Sequence, residues 1–164
     1  MPNLKDNLKS LQKYAQTIDD VKNKAVYVGL PKEKATKEYE DGMSVIRIGA
    51  IHEYGMGNNP QRSFLRVPFA ENKKDIDAFI QKRFEMSGKE IEPIKALEQI
   101  GVFAEGISKR SFVKNNWKAN ADITINGGWM RSSSGKPFKV KGKKSSKPLI
   151  DTGLLRNWVT SIVR

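Results

Sequence analysis

Val45-Ile46-Arg47-Ile48-Gly49-Ala50-Ile51-His52-Glu53-Tyr54-Gly55-Met56-Gly57-Asn58-Asn59-Pro60-Gln61-Arg62-Ser63-Phe64-Leu65-Arg66 is the stretch whose reading decides the fold. Its β-branched residues suit a strand. Val45, Ile48, Ile51/His52 and Tyr54/Gly55 also fall on one helical face, and that spacing predicts a helix over 45–54 ended by Gly55. Gly55 to Pro60 then reads as a loop, since Gly and Asn tolerate positive φ and Pro lacks an amide donor. Glu53 stands between apolar neighbours just before that loop. It is expected to pair with Arg62 or Arg66 and hold the loop's shape, while Phe64 and Leu65 anchor the loop in the core.

On the N-terminal side, Leu4, Leu8, Leu11, Ala15 and Ile18 recur at three- and four-residue steps and predict an amphipathic helix over 3–18. Such a helix lies on its own domain or docks on a neighbouring subunit. Ala25 to Pro31 reads as a short buried strand, and 32–43 as a loop or short helix. Beyond the central stretch, Pro68 opens a helix that runs to about Met86 on Phe69, Ile76, Phe79, Ile80 and Phe84. Ser87-Gly88-Lys89 breaks it, and a second helix follows on Ile91, Ile94, Leu97, Ile100, Ala104 and Ile107. Two helices so tightly joined are expected to be antiparallel neighbours.

The last third differs in character. Asn115-Asn116-Trp117 leaves the helix, Ile123-Thr124-Ile125 is a strand candidate, and Asn126-Gly127-Gly128 a turn. Arg131 to Lys147 is Ser, Gly and Lys with few large apolar residues, and predicts a mobile basic loop or hairpin. In the closing segment Asp151 or Thr152 caps a helical turn that turns Leu154, Leu155 and Trp158 inward, before a last strand at Val159 to Val163. The expected fold is α+β: a small, mostly antiparallel sheet packed against two or three helices, with an N-terminal amphipathic helix and a basic loop or hairpin. The expected organisation is a single domain over 1–164, divided into a helix (1–20), a core with paired helices (21–110), a basic excursion (111–147) and a closing segment (148–164).

Charge is distributed unevenly. Residues 1–108 hold 17 basic and 16 acidic side chains, whereas 109–164 hold 13 basic ones against Asp122 and Asp151 alone. Nearly all of the net +12 therefore sits in the last third, as a surface for nucleic acid or an acidic partner. No run approaches a membrane span, and Met1-Pro2-Asn3-Leu4-Lys5-Asp6 lacks the apolar core of a signal peptide, so a soluble protein without membrane contact is expected.

Catalytic chemistry finds little to work with. The chain has no Cys and one His, which excludes thiolate zinc sites, cysteine nucleophiles and a His-rich metal site within one chain. No nucleophile elbow or phosphate-cradling glycine loop is present, and the acids are scattered among lysines, with Glu53 the exception. The expectation is no enzyme, no cofactor and no metal. Nucleic acid is better served: Trp117, Trp129, Phe138 and Trp158 are interleaved with the basic run, although Trp117 and Trp158 read more naturally as core anchors. Without a known reading motif, any such binding is expected to be sequence-independent and salt-sensitive.

Two segments resemble a known family. Ala50-Ile51-His52-Glu53-Tyr54-Gly55 followed by Pro60-Gln61-Arg62-Ser63-Phe64-Leu65-Arg66 is similar to the A-x-x-x-E-F/Y-G … P-x-R-P-F-L-R signature of phage virion morphogenesis proteins, the tail-completion or head–tail joining proteins of tailed bacteriophages. Lys147-Pro148-Leu149-Ile150-Asp151-Thr152-Gly153-Leu154-Leu155 resembles that family's C-terminal K-P-L-I/V-D-T-G-x-L box. Ser63 stands where the family usually has proline. The resemblance implies structural roles for Glu53, Tyr54, Gly55, Pro60, Arg62, Phe64, Leu65, Pro148, Leu149, Asp151, Thr152, Gly153 and Leu155. It implies a ring-forming virion subunit at the neck, hexameric, assembled in the host cytoplasm and touching other neck, connector and tail-tube proteins. Arg131, Lys136, Lys139, Lys141, Lys143, Lys144 and Lys147 are then candidate contacts to genome DNA in the lumen or to an acidic neighbour.

Overall fold

The computed structural model of the chain describes residues 4–32, 42–88, 90–132, 134–149 and 153–164. Helix α1 (Leu4–Val21) leads to strand β1 (Val26–Gly29). Helix α2 (Val45–Tyr54) starts where the Ser44 hydroxyl accepts the Arg47 N–H, and it stops at Gly55 in the left-handed conformation. The helical reading of 45–54 therefore holds to the residue. The loop or short helix expected at 32–43 falls mostly outside the described residues.

The helix expected from Pro68 to Met86 is two helices, α3 (Arg66–Glu71) and α4 (Lys73–Met86). Asn72 separates them: its backbone leaves helical geometry, and its side-chain amide donates back to the Pro68 carbonyl at 2.7 Å. A local side-chain bond of this kind competes with the helix ladder. Helix α5 (Pro93–Lys114) opens on Pro93 and ends at Asn115 in the left-handed conformation. Helix α4 packs on α5 through Phe79 stacked on Phe103, ring centroids 4.1 Å apart. Phe84, assigned from periodicity to the same apolar face, is exposed.

Strand β4 (Thr160–Val163) closes the chain against β1, antiparallel, with Tyr27 opposite Ile162 and Val28 opposite Ser161. This sheet lies on α5. A Cβ at Gly101 would sit 2.9 Å from the Ser161 Cβ and 3.2 Å from Val26, so glycine permits the close approach. Glu105, one turn further, accepts the Ser161 N–H at 2.9 Å and its hydroxyl at 3.1 Å, and Lys109 at 2.7 Å. Burial alone would raise the Glu105 pKa, but the Lys109 ammonium and the Ser161 donors outweigh it and hold the carboxyl below its usual range. Strand β1 was expected to be buried, yet Tyr27 is exposed because only the face towards α5 is covered.

The strand expected at Ile123-Thr124-Ile125 is instead a single helical turn, α6 (Asp122–Asn126). Asp122 sits at its positive end, and the returning chain donates Lys143 N–H to Thr124 O and Lys144 N–H to Ile125 O. Those tertiary bonds override the β-propensity of two isoleucines. The turn expected at Gly127-Gly128 lies inside strand β2 (Gly127–Arg131), which pairs antiparallel with β3 (Pro137–Lys141). The basic excursion is thus a hairpin, and the fold is α+β, with two separate two-stranded antiparallel sheets among the described residues. Helix α7 (Leu154–Trp158) precedes β4, with Gly153 at its N-cap; the expected caps Asp151 and Thr152 lie outside the described residues. The core gathers Val45, Phe64, Phe112, Leu155 and Val159, with Trp117 and Trp158 packed against it. Both tryptophans are therefore core anchors. Among the described residues no helix is long and apolar enough to cross a membrane.

Candidate functional site

Gly55 reverses the chain after α2. Its φ of 67° is left-handed, and a Cβ there would lie 2.9 Å from the Gln61 nitrogen, so the position demands glycine twice over. The loop closes through Arg62 N–H to His52 O at 2.8 Å and the Gln61 side-chain amide to Glu53 O at 3.2 Å. This brings Glu53 to the start of α3.

The Glu53 carboxylate is 3% exposed and works as a remote helix cap. One oxygen accepts Phe64 N–H at 2.8 Å and Leu65 N–H at 3.0 Å. The other accepts the Ser63 hydroxyl at 2.6 Å, Arg66 N–H at 3.0 Å and Arg66 Nε–H at 3.2 Å. The Ser63 hydroxyl in turn accepts Val67 N–H at 3.0 Å, Pro68 has no N–H, and Phe69 donates to Leu65 O. Every donor of the first turn of α3 is thereby satisfied, with negative charge at the positive end of the helix. Ser63, where the resembled family has proline, is a buried link in this cap.

Of the two arginines expected to pair with Glu53, Arg66 does so; its guanidinium also lies 4.4 Å from the centre of the exposed Tyr54 ring. Arg62 does not. It is buried and donates to the Lys118 and Ala119 carbonyls, each at 3.2 Å, and burial lowers its pKa. It ties the loop to the chain that follows α5. Phe64 is 1% exposed, 5.2 Å from the Phe112 ring, and its carbonyl accepts the buried Ser108 hydroxyl at 2.7 Å. Leu65 packs on the same core.

The second motif meets the first there. Leu155 belongs to the same core, and Leu149 packs on it with a left-handed φ of 61°. Pro148 is fully buried, and its carbonyl accepts the Asn115 side-chain amide at 2.8 Å. Between the motifs lies a cleft of about 610 Å³, lined by His52, Pro60 and Arg62 on one side, Leu149, Gly153 and Leu154 on the other, and Lys118, Lys143 and Lys147 around them. Its described lining contains no acid.

His52 carries the electrostatics of that cleft. Its Nδ1 is shielded from solvent without a hydrogen-bond partner among the described residues. Burial, then the Arg62 and Lys143 charges, push its pKa from 6.5 down to about 4. As pH falls, the unfolded chain therefore takes up this proton before the folded one. Stability is complete above about pH 6.5 and falls as pH drops towards 4. After discounting for solvent screening, the loss is about 1–2 kcal/mol between pH ~7 and pH ~4.5. Urea titrations at both pH values should show a correspondingly smaller loss in His52→Gln; an equal loss in both proteins would refute the assignment.

The basic candidates separate into groups. Lys143 and Lys147 line the cleft; Lys136 flanks the hairpin turn, and Lys144 sits in a left-handed turn after β3. Arg131, Lys139 and Lys141 lie on the β2–β3 ribbon beside Trp129. Asn120 closes the base of the excursion, with its N–H to Ser146 O and its side-chain amide to the Ser145 and Lys147 carbonyls. Sequence reasoning missed Asn120 and Asn115, whose partners lie some 25–33 residues away. It also missed Ser63 as a cap, although a hydroxyl ahead of a helix is an N-terminal signal. Among the described residues no three His, Cys, Asp or Glu side chains gather where they could hold a metal ion. No protein-family model matches the chain, and no similar curated protein or solved structure was found for it.

Proposed function

We propose that this chain is a non-catalytic virion subunit of a tailed bacteriophage that forms a ring and completes the tail or joins head to tail at the neck. The observation that carries the reading is α1. Its apolar stripe is left in solvent, with Leu8, Leu11 and Ile18 at 52%, 64% and 49% exposure. An amphipathic helix of this length gains most of its stability by burying that stripe, so a partner surface is needed. A receiving surface of a different kind exists on the same chain. The face of the β1–β4 sheet turned away from α5 has a groove of about 440 Å³, lined in part by Tyr27, Leu30, Pro31 and Ile162. Donor and receiver on separate patches make a head-to-tail contact, the kind that closes into rings.

The neck assignment rests on the two motifs quoted above, which meet at one core and one cleft. In this reading the glutamate-capped loop is a rigid part, and the cleft faces other components of the particle.

Light scattering and negative-stain microscopy of the purified protein should reveal a closed ring. Leu11→Asp combined with Ile18→Asp should give a monomer, with any loss of helical signal no larger than the share of α1. A parent that stays monomeric at assembly concentrations would sink the ring. For the neck, an antibody against this chain should decorate the head–tail junction of particles whose genome carries the reading frame, and decoration elsewhere would refute the placement. Nucleic-acid binding is favoured by a separate observation on the ribbon.

A further inference from the structure

The β2–β3 register sorts its side chains onto two faces. Trp129 lies opposite Lys139, Arg131 opposite Pro137 and Gly127 opposite Lys141, all on one face; Gly128, Met130, Phe138 and Val140 share the other. Helix α6 backs the second face. A Cβ at Gly128 would lie 2.8 Å from the Ile123 Cδ1, and Val140 is the half-buried residue of β3. The first face is therefore open, and Trp129 stands on it 70% exposed. Directly opposite and diagonal positions on one ribbon face are within ~5–8 Å, so three cations surround a solvent-facing indole. Among the described residues none of the three has a carboxylate partner. The nearest acid in sequence, Asp122, accepts from Asn126.

Arg131 Nη1–H does donate to the Gly135 carbonyl of its own turn, at 3.3 Å. An exposed indole ringed by cations without a carboxylate partner among the described residues fits a ligand that presents flat rings and regularly spaced negative charge. An acidic peptide supplies the charge and no ring. A duplex supplies both but keeps its bases stacked on each other. A single strand offers free base faces between phosphates. We infer that the outer face of the β2–β3 ribbon binds single-stranded nucleic acid without sequence preference: Trp129 stacks on an unpaired base, and Arg131, Lys139 and Lys141 hold the neighbouring phosphates. The site needs one chain only, so it stands or falls separately from the ring.

The test is a titration of the full chain with a labelled oligothymidylate of about 12 nucleotides, alongside a duplex of the same length and poly-glutamate as competitor. The expected result is tighter binding of the single strand than of the duplex, with quenching of the tryptophan fluorescence that Trp129→Phe abolishes. Trp129→Ala should weaken single-strand binding by about tenfold or more, measured by anisotropy of the label. Lys139→Gln with Lys141→Gln should make the salt dependence shallower by about 1.4 in log–log slope. All three positions, Trp129, Lys139 and Lys141, are exposed on the ribbon, and circular dichroism verifies that the fold is kept. Equal affinity in Trp129→Ala and the parent would overturn the proposal, as would equal binding of duplex. So would displacement of the strand by poly-glutamate at equivalent charge, which would mark the face as one for an acidic protein.

Discussion

Glu53→Ala is expected to lower the unfolding free energy by about 3–5 kcal/mol, read from urea titrations with an unchanged slope. The substitution removes the acceptor of five hydrogen bonds and leaves the Phe64 and Leu65 N–H groups and the Ser63 hydroxyl unpartnered where water has little access. Each buried donor stranded in this way costs about 1–3 kcal/mol, and the sum falls short of additivity because Arg66 can turn to solvent. The companion variant decides the mechanism. Arg66→Met keeps the stem and removes the ion pair, and with the arginine side chain 53% exposed it should cost only about 0–1 kcal/mol. Were the two variants equally destabilised, Glu53 would be an ion-pair partner and not a helix cap.

Phe64→Ala should destabilise by about 3–5 kcal/mol, through lost burial and the cavity left among Phe112, Val45 and Leu155. Phe84→Ala should change stability by less than about 1 kcal/mol, since its ring is 54% exposed. The pair is a direct check on the core, because periodicity had assigned Phe84 to the apolar face of its helix. A large loss at Phe84 with a small one at Phe64 would require a different packing of the paired helices.

Much of the chain was legible from short-range pattern. The spacing of Val45, Ile48 and Ile51 ended at Gly55 in a helix with those bounds. The apolar steps from Ile94 to Ile107 fall within α5, whereas Ile91 lies ahead of it in a bridge to Ser87, and the Gly/Lys-rich segment forms one of the two expected alternatives, a hairpin. These features depend on neighbours within a few residues, where backbone geometry and periodicity act directly. The failures differ in range. The Thr124 and Ile125 carbonyls accept tertiary bonds from the Lys143 and Lys144 N–H groups, whereas the break in the 68–86 helix is local, at Asn72, whose side chain bonds back to Pro68. Local propensity is about 1 kcal/mol deep across a few residues, and a handful of tertiary bonds exceed it.

The sequence by itself determined the α+β class, the placement of the helices that carry the core and the excess of positive charge in the last third, because periodicity and charge are carried residue by residue. It also singled out Glu53, just ahead of the glycine loop. Only the tertiary structure decided what Glu53 does: an acceptor of five donors contributed by Ser63 to Arg66, with Arg62 turned instead to the Lys118 and Ala119 carbonyls. Either arginine lay within reach along the chain. The two differ in burial: the buried Arg62 guanidinium finds protein carbonyls for Nε and Nη2, whereas the exposed Arg66 guanidinium can leave its remaining donors to water.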